Sequence, residues 1–559
     1  IASLVATLLL LSGAAPAGAV LGFPPPPPPP PPVKVIVQQW HAGDSTVADY
    51  VRFLGGTVRD SLPIIGGFSA TVPQSSVATL TQYLGVRAVT YDAPVEPEDV
   101  DVDGGPASVY REAVETPSAP GAPTGDGVTV AVVDTGVSDV PALSDNLVSV
   151  IGTNGVASKC LNLSTEAGCH DSYGHGTFIA GLIAGDGARK GVAPGAGILS
   201  VKLSGRDGSS SVSQVLVALQ WLIENKDVYD IGVINLSLRA ASNLSYRIDP
   251  LNLGVQQAWA SGIVVVVSAG NQGAGNETIA KPADDPWVIT VGSTDDQGTP
   301  GIGDDLVSAF SSRGPTYTDG LAKPDVVVPG RSLVSLRSPG SAADTSFPSF
   351  VDGTYRRGSG TSFSAPIVAG AAAVLRSADP AASNDRIKFA LMSTARPLAG
   401  IPATHQGAGV VDVTAALTAP AGEANGGLFH PVFNSAVAGV SADWVGSQWD
   451  LEWNGSNWQG SNWQGSNWQG SNWQGSNWQG SNWQGSNWQN MDWEGSNWQG
   501  SNWQGSNWQG SNWQGSNWQG SNWQGSNWQG SNWQGSNWQG SNWQGSNWQG
   551  SNWQSKYWG

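Results

Sequence analysis

From Val128 onward, short runs of β-branched residues alternate with segments of helical period, and this alternation restricts the fold more than any other feature of the chain. Val128 to Val133, Ile198 to Lys202, Val233 to Leu238, Ile263 to Val267 and Val288 to Val291 are near-continuous apolar runs. Runs of that kind suit strands buried on both faces. Between them, Val212 to Asn225 places Val215, Leu216, Leu219 and Leu222 on one helical face. The pattern predicts an α/β fold in which a mostly parallel sheet is flanked by helices on both faces. In such sheets functional residues gather at the carboxyl ends of the strands.

The rest of the 559-residue chain divides around that region. Residues 1–19 carry no charge and join an apolar run, Leu8 to Leu11, to small residues around Ala17-Gly18-Ala19. That suits a secretory signal peptide whose start is truncated, with an uncleaved anchor as the alternative. Residues 20–32 form a spacer containing nine successive prolines, stiff and unable to build a core. Residues 33–92 alternate strand and helix patterns: Val33 to Val37, Gly67 to Val72 and Val86 to Tyr91 read as strands, Thr46 to Leu54 and Ser75 to Tyr83 as helices. They predict a small α+β unit. Residues 93–123, acidic and rich in Pro and Gly, read as a linker or processing region. The α/β domain spans 124–418, and a second linker 419–453.

From 454 to 559 the text is Gly-Ser-Asn-Trp-Gln repeated, interrupted once at Asn490 to Glu494, and 21 of the chain's 28 Trp lie at or after Trp458. A period of five matches neither helix nor strand alternation. The tail is therefore either disordered low complexity or a β-solenoid of pentapeptide coils, and Trp faces could equally bind sugars or aromatics at a surface.

Charge excludes one class of partner. With 25 basic and 43 acidic residues the net charge is −18, and no basic run exists to neutralise phosphates, which argues against nucleic acid. Two cysteines exclude a disulfide scaffold and a four-Cys zinc site.

Four polar residues sit where the sheet model puts chemistry. Asp134 ends the first strand in Val-Val-Asp-Thr-Gly. His175 opens Gly-His-Gly-Thr before a helical stretch. Asn271 ends Ser-Ala-Gly-Asn after an apolar strand, and Ser362 stands in Gly-Thr-Ser-Phe-Ser-Ala-Pro before a small-residue helix. Each alone reads as a turn or cap residue. Together, in the order Asp, His, Ser, they resemble the triad motifs of the subtilisin family of serine peptidases (the subtilases). Phe310 to Pro315, Lys323-Pro324-Asp325 and Gly407 to Asp412 extend the resemblance from about Gly127 to Leu417. Residues 33–91 resemble, more weakly, the inhibitory propeptide that precedes such enzymes.

The resemblance implies a subtilisin-like fold and an exported serine endopeptidase made as an autoinhibited zymogen, with protein or peptide substrates and its own propeptide as inhibitor. Asp134, His175 and Ser362 are the implied triad, and Asn271 the implied oxyanion donor. Ser237 and Leu238 would pair with the substrate, and Ser268, Ala269 and Gly270 would wall the first specificity pocket, with Ala280 at its floor. The family's usual Gly after Ser237-Leu238 is Arg239 here. In an exported protein Cys160 and Cys169 are expected to form a disulfide, with metal binding through Cys169-His170 as the rival. No cofactor is needed for the chemistry. The family often holds structural calcium, for which Asp284-Asp285, Asp295-Asp296 and Asp304-Asp305 are candidates, although no calcium-loop spacing occurs. The alternative function, from another class, is a surface-binding protein whose tail attaches to the cell surface or polysaccharide and whose peptidase serves self-maturation alone.

Overall fold

The computed structural model describes residues 31–97, 105–151, 157–346 and 349–425, and the backbone of 449–450, 453–454 and 457–558. The expected signal peptide, most of the proline spacer and most of the 419–453 linker lie outside these residues.

The N-terminal unit comprises β1 (Val33–Gln39), α1 (Ser45–Phe53), β2 (Thr57–Leu62), β3 (Gly67–Val72), α2 (Val77–Thr81) and β4 (Val86–Tyr91). Its four strands form an antiparallel sheet in the order β2-β3-β1-β4. Val35 and Val37 of β1 alternate onto a core shared with Val47 and Val51 of α1 and Leu80 of α2. The α+β expectation for 33–92 describes this unit, with β2 added.

The stretch expected to be a linker is ordered where it is described. It holds β5 (Pro94–Pro97) and α3 (Tyr110–Ala113), and the side chains of Val95, Tyr110 and Val114 are buried in the main core. One apolar residue between Pro and Glu suffices for β5, because its hydrogen bonds come from neighbouring strands rather than from its own propensity.

The large domain follows the alternating pattern. In chain order it contains β6 (Thr129–Asp134), β7 (Val150–Ile151), β8 (Ala157–Ser158), β9 (Cys160–Asn162), α4 (His175–Ala184), β10 (Gly197–Lys202), β11 (Ser210–Ser211), α5 (Val212–Glu224) and β12 (Ile231–Leu236). It continues with β13 (Leu238–Ala240), α6 (Pro250–Ala260), β14 (Val264–Ser268), β15 (Ile289–Asp295), β16 (Leu306–Val307), β17 (Val326–Pro329), β18 (Leu333–Leu336), α7 (Ala342–Ser346), β19 (Tyr355–Gly358) and α8 (Thr361–Ala378). The central sheet runs β16-β15-β14-β12-β6-β10-β9, with β17 also paired to β15. Its pairings are parallel except for β16, which runs antiparallel to β15. Val130 to Val133 and Val264 to Val267 are fully buried, as the continuous apolar runs require.

The Lys323-Pro324-Asp325 motif underpins β17. The Asp325 carboxylate is buried, yet Lys323 at 2.7 Å and Lys388 at 3.3 Å hold it below the ordinary range against the upward push of burial. Lys388 is itself lowered to about 8 by burial, and its ammonium also donates to the carbonyls of Pro286, Trp287 and Val288.

The tail is a separate unit, 441–559. Its backbone is extended from Asn457 to Trp558, and Trp453-Asn454 pair in parallel with Trp473-Gln474. Trp449-Asp450 pair likewise with Trp468-Gln469. The paired positions lie about four repeats apart.

Candidate active site

Three elements converge at the carboxyl end of the sheet. β6 is interior, flanked by β10 and β12, and ends on Asp134. α4 begins on His175, preceded by Gly174 at φ 103°, a left-handed conformation that glycine adopts at little cost. α8 carries Ser362 in its first turn. The His175 imidazole and Asp134 Oδ1 meet through Nδ1 at 2.8 Å, and the same oxygen accepts the Thr135 N–H at 2.8 Å. The rings of His175 and Phe363 lie 5.2 Å apart, which brings the residue after Ser362 against the imidazole. Asp134, His175 and Ser362 are all buried, and the Ser362 hydroxyl makes no hydrogen bond.

The Asp and His loops are clamped together. A Cβ on Gly176 would lie 2.1 Å from the Gly136 carbonyl oxygen, so only glycine permits this approach. Asp171, fully buried, secures it: one carboxylate oxygen accepts from Thr135 Oγ1 (2.8 Å) and Gly174 N–H (2.7 Å), the other from Thr177 N–H (2.8 Å) and Thr177 Oγ1 (2.7 Å). The carboxylate thereby caps the start of α4 and fixes the residue beside Asp134. Sequence reasoning passed over Asp171; its signal was an Asp three residues before the Gly-His pair that opens a helix.

Asn271 follows β14. Its side-chain oxygen accepts from the Thr361 N–H and the Thr361 hydroxyl, both at 2.9 Å, and Thr361 Oγ1 accepts the Gly270 N–H at 3.1 Å. With the oxygen committed to α8, the amide nitrogen is the side chain's donor. Thr361 was the second residue overlooked. Ser237 Oγ donates to the Ser362 carbonyl at 2.7 Å and accepts from Asn235 Nδ2 at 2.9 Å, joining β12 to the start of α8.

Residues implied to bind substrate are linked through β13 and the 268–281 segment, where the Ala240 N–H donates to the Lys281 carbonyl at 3.2 Å. Leu238 lies in β13, and the Ala280 N–H donates to the Ala269 carbonyl at 2.9 Å, which brings Ala280 beside the Ser268 to Gly270 wall. A strand of the chain itself lies along β13. β5 lies antiparallel between β11 and β13, with Val95 opposite Ala240, Glu96 opposite Arg239 and Pro97 opposite Leu238. The Asp92 carboxylate just before it accepts the Ser213 N–H (2.9 Å) and hydroxyl (2.8 Å) in the first turn of α5, where a helix favours negative charge.

Cys160 and Cys169 are joined in a disulfide, so neither offers a thiolate to a metal, and His170 meets Ser138 at 3.0 Å. Most of the candidate acidic side chains have protein partners. Asp284 pairs with Lys281, Asp285 accepts from Gln256 and Trp287, Asp295 pairs with Arg331, Asp296 accepts from Ser108, Val109 and Gly298, and Asp304 accepts from Thr299. Among the described residues no group of three or more His, Cys, Asp or Glu side chains could hold a metal ion. Nor, among them, is any helix long and apolar enough to cross a membrane. Burial first, then Asp296 and Asp304, raises the Asp305 carboxyl to about 7, and neither of its oxygens is hydrogen-bonded.

Comparison with known proteins matches residues 125–410 to the model of the "Subtilase family" and residues 23–92 to that of a "Putative peptidase inhibitor domain". The serine protease AprX of Bacillus subtilis is 40% identical over 277 residues, 47% of this chain, and the match spans 60% of the AprX length. Subtilisin Savinase of Lederbergia lenta is 35% identical over 296 residues, 52% of this chain and 91% of its own. Among solved structures, fervidolysin from Fervidobacterium pennivorans, described as a keratinolytic enzyme related to subtilisin, aligns with a TM-score of 0.54 at 26% identity. That alignment covers 70% of this chain and 61% of fervidolysin.

Proposed function

The chain belongs to the subtilase family, and from that premise we propose that it is an exported serine endopeptidase, made as a zymogen whose residues 33–97 block its own cleft. The observation that carries the reading is the buried Asp134–His175 pair beside Ser362, at the end of a cleft already occupied by an extended strand. A serine hydroxyl is a weak nucleophile, so a neutral imidazole must take its proton as the bond to the carbonyl carbon forms. His175 Nε2 takes that proton and delivers it to the leaving amine, leaving an acyl-enzyme on Ser362. Water then enters by the same base and releases the acid. Asp134 holds Nδ1–H inward and stabilises the transient imidazolium. The Asn271 amide and the Ser362 N–H donate to the oxyanion, in the favourable field at the start of α8.

The chemistry proposed calls on these side chains and the Ser362 N–H, with no cofactor. The disulfide supports an oxidising, extracytoplasmic setting, and the repeat tail is a candidate for cell-surface or polysaccharide attachment. In the test, Ser362→Ala is expressed as the full chain. It is expected to accumulate with residues 33–97 covalently attached and to leave casein intact, while the unsubstituted chain shortens itself and cleaves casein. Normal shortening and casein cleavage by the variant would refute the assignment.

A further inference from the structure

Arg239 occupies the position that follows Ser237-Leu238 at the cleft edge, and the strand lying in the cleft presents Glu96 directly opposite it. The Arg239 guanidinium and the Glu96 carboxylate approach to 3.6 Å, with 42% and 58% of their side chains exposed. The register fixes what this means for a substrate. Residue numbers rise along β5 from Ala240 toward Leu238, and therefore toward Ser237, whose hydroxyl holds the Ser362 carbonyl at 2.7 Å. In a substrate strand of the same register, the residue facing Arg239 is followed by one facing Leu238, and then by the one presented to Ser362. The residue at Arg239 is thus third upstream of the bond to be cut. Strand alternation separates the two edges: Val95 is 2% exposed, whereas Glu96 turns outward to Arg239.

We infer that Arg239 is a specificity-determining residue, selecting peptides with Asp or Glu at the third position upstream of the scissile bond. The inference rests on the peptidase reading above and adds a substrate class to it. Its charge logic is local: the chain as a whole carries −18, so a guanidinium at the cleft rim recruits an acidic side chain against the general field. The ion pair is half exposed, so its effect is modest and falls with salt; exposed pairs of this kind change equilibria by about two- to five-fold.

The test uses the self-matured enzyme and three peptides, Ala-Val-Xaa-Pro-Phe-p-nitroanilide with Xaa Glu, Gln or Lys. The Glu peptide is expected to exceed the Gln peptide about two- to five-fold in kcat/KM, with Lys the poorest, and the ratios should approach one at 1 M NaCl. Arg239→Gly should erase the ranking and Arg239→Glu should invert it. Equal kcat/KM for the three peptides in the unsubstituted enzyme at low salt would overturn the inference and leave the peptidase reading standing. Absence of hydrolysis of all three and of casein would overturn the peptidase reading itself, and this inference with it. If the Arg239 variants do not mature, the Glu, Gln and Lys series and its salt dependence in the unsubstituted enzyme decide alone.

Discussion

Thr361→Val isolates the least obvious support of the site. Valine keeps the shape of the side chain while removing a hydroxyl that donates to Asn271 Oδ1 at 2.9 Å and accepts the Gly270 N–H at 3.1 Å. Asn271 keeps its contact with the Thr361 N–H, also 2.9 Å, so it is loosened rather than released. Each lost hydrogen bond is worth about 1 kcal/mol, and the Gly270 N–H is left buried without its acceptor, so stability should fall by about 2 kcal/mol or roughly 4–8 °C in Tm. Removing an oxyanion donor outright costs about 10²–10³ in kcat. Loosening it by about 1.4 kcal/mol costs about tenfold. The loss should lie in kcat with KM nearly unchanged, because the donor acts on the tetrahedral state more than on the bound peptide. The assay is peptide p-nitroanilide hydrolysis, with active-site titration to count folded enzyme. Thr361→Ser, which keeps the hydroxyl, should recover most of the rate, and Asn271→Ala should lose about 10²–10³. A kcat for Thr361→Val within twofold of the unsubstituted enzyme, beside a disabled Asn271→Ala, would refute the reasoning.

Asp305→Asn should stabilise the protein in a pH-dependent way. The folded carboxyl is raised to about 7, above the roughly 3.9 of an unfolded Asp, so the folded state holds the extra proton between those values and loses stability as pH rises through them. The variant escapes that loss; its unfolding free energy should match that of the unsubstituted protein near pH 4 and exceed it at pH 8 by about 1–2 kcal/mol once solvent screening is allowed for, with Tm rising in step. Equal Tm differences at both pH values would refute the assignment. Truncation before residue 441 should leave kcat/KM on a short peptide within about twofold, because the candidate triad and Asn271 all lie in the unit 1–440. A truncated enzyme that folds yet is more than tenfold slower would tie the tail to catalysis.

The candidate triad was legible because each of its members stands at a strand end or helix start, flanked by residues small enough to let loops approach. Gly136, Gly174 and Gly176 are part of the geometry that makes Asp134 and His175 meet, so the motifs carry their structural context with them. The central sheet was legible for a related reason: strands buried on both faces admit little but Val, Ile and Leu. Elements that take their stability from partners were not. β2 contains Arg59 and Asp60 and is mostly exposed, with a break in its pairing to β3, so no alternation marks it. β5 reads Pro-Val-Glu-Pro and has the composition of a linker; two edge strands of the cleft make it a strand. Thr361 and Asp171 act through hydrogen bonds to backbone and neighbours, and one sequence offers no sign separating such residues from ordinary caps.

The way the N-terminal unit is held separates processing from activation. Three devices act at different places: Asp92 on the first turn of α5, β5 in the cleft, and the turn Leu62 to Ile65, whose apolar side chains are buried in the core of the large domain beside α6. A cut beyond Pro97 breaks none of them. Burial of Leu62, Ile64 and Ile65 is worth about 1.5–3 kcal/mol each on an area basis, and severing the chain removes only the covalent link and its effective concentration. On the proposed zymogen reading, the unit is expected to stay bound after such a cut, so that its release needs a second event such as its own proteolysis or unfolding. The half-exposed Arg239–Glu96 pair contributes least to that hold. What it supplies is register: a charge at the rim that is satisfied when Glu96 stands opposite Arg239, and that a slip of one residue along β13 would leave facing Val95 or Pro97.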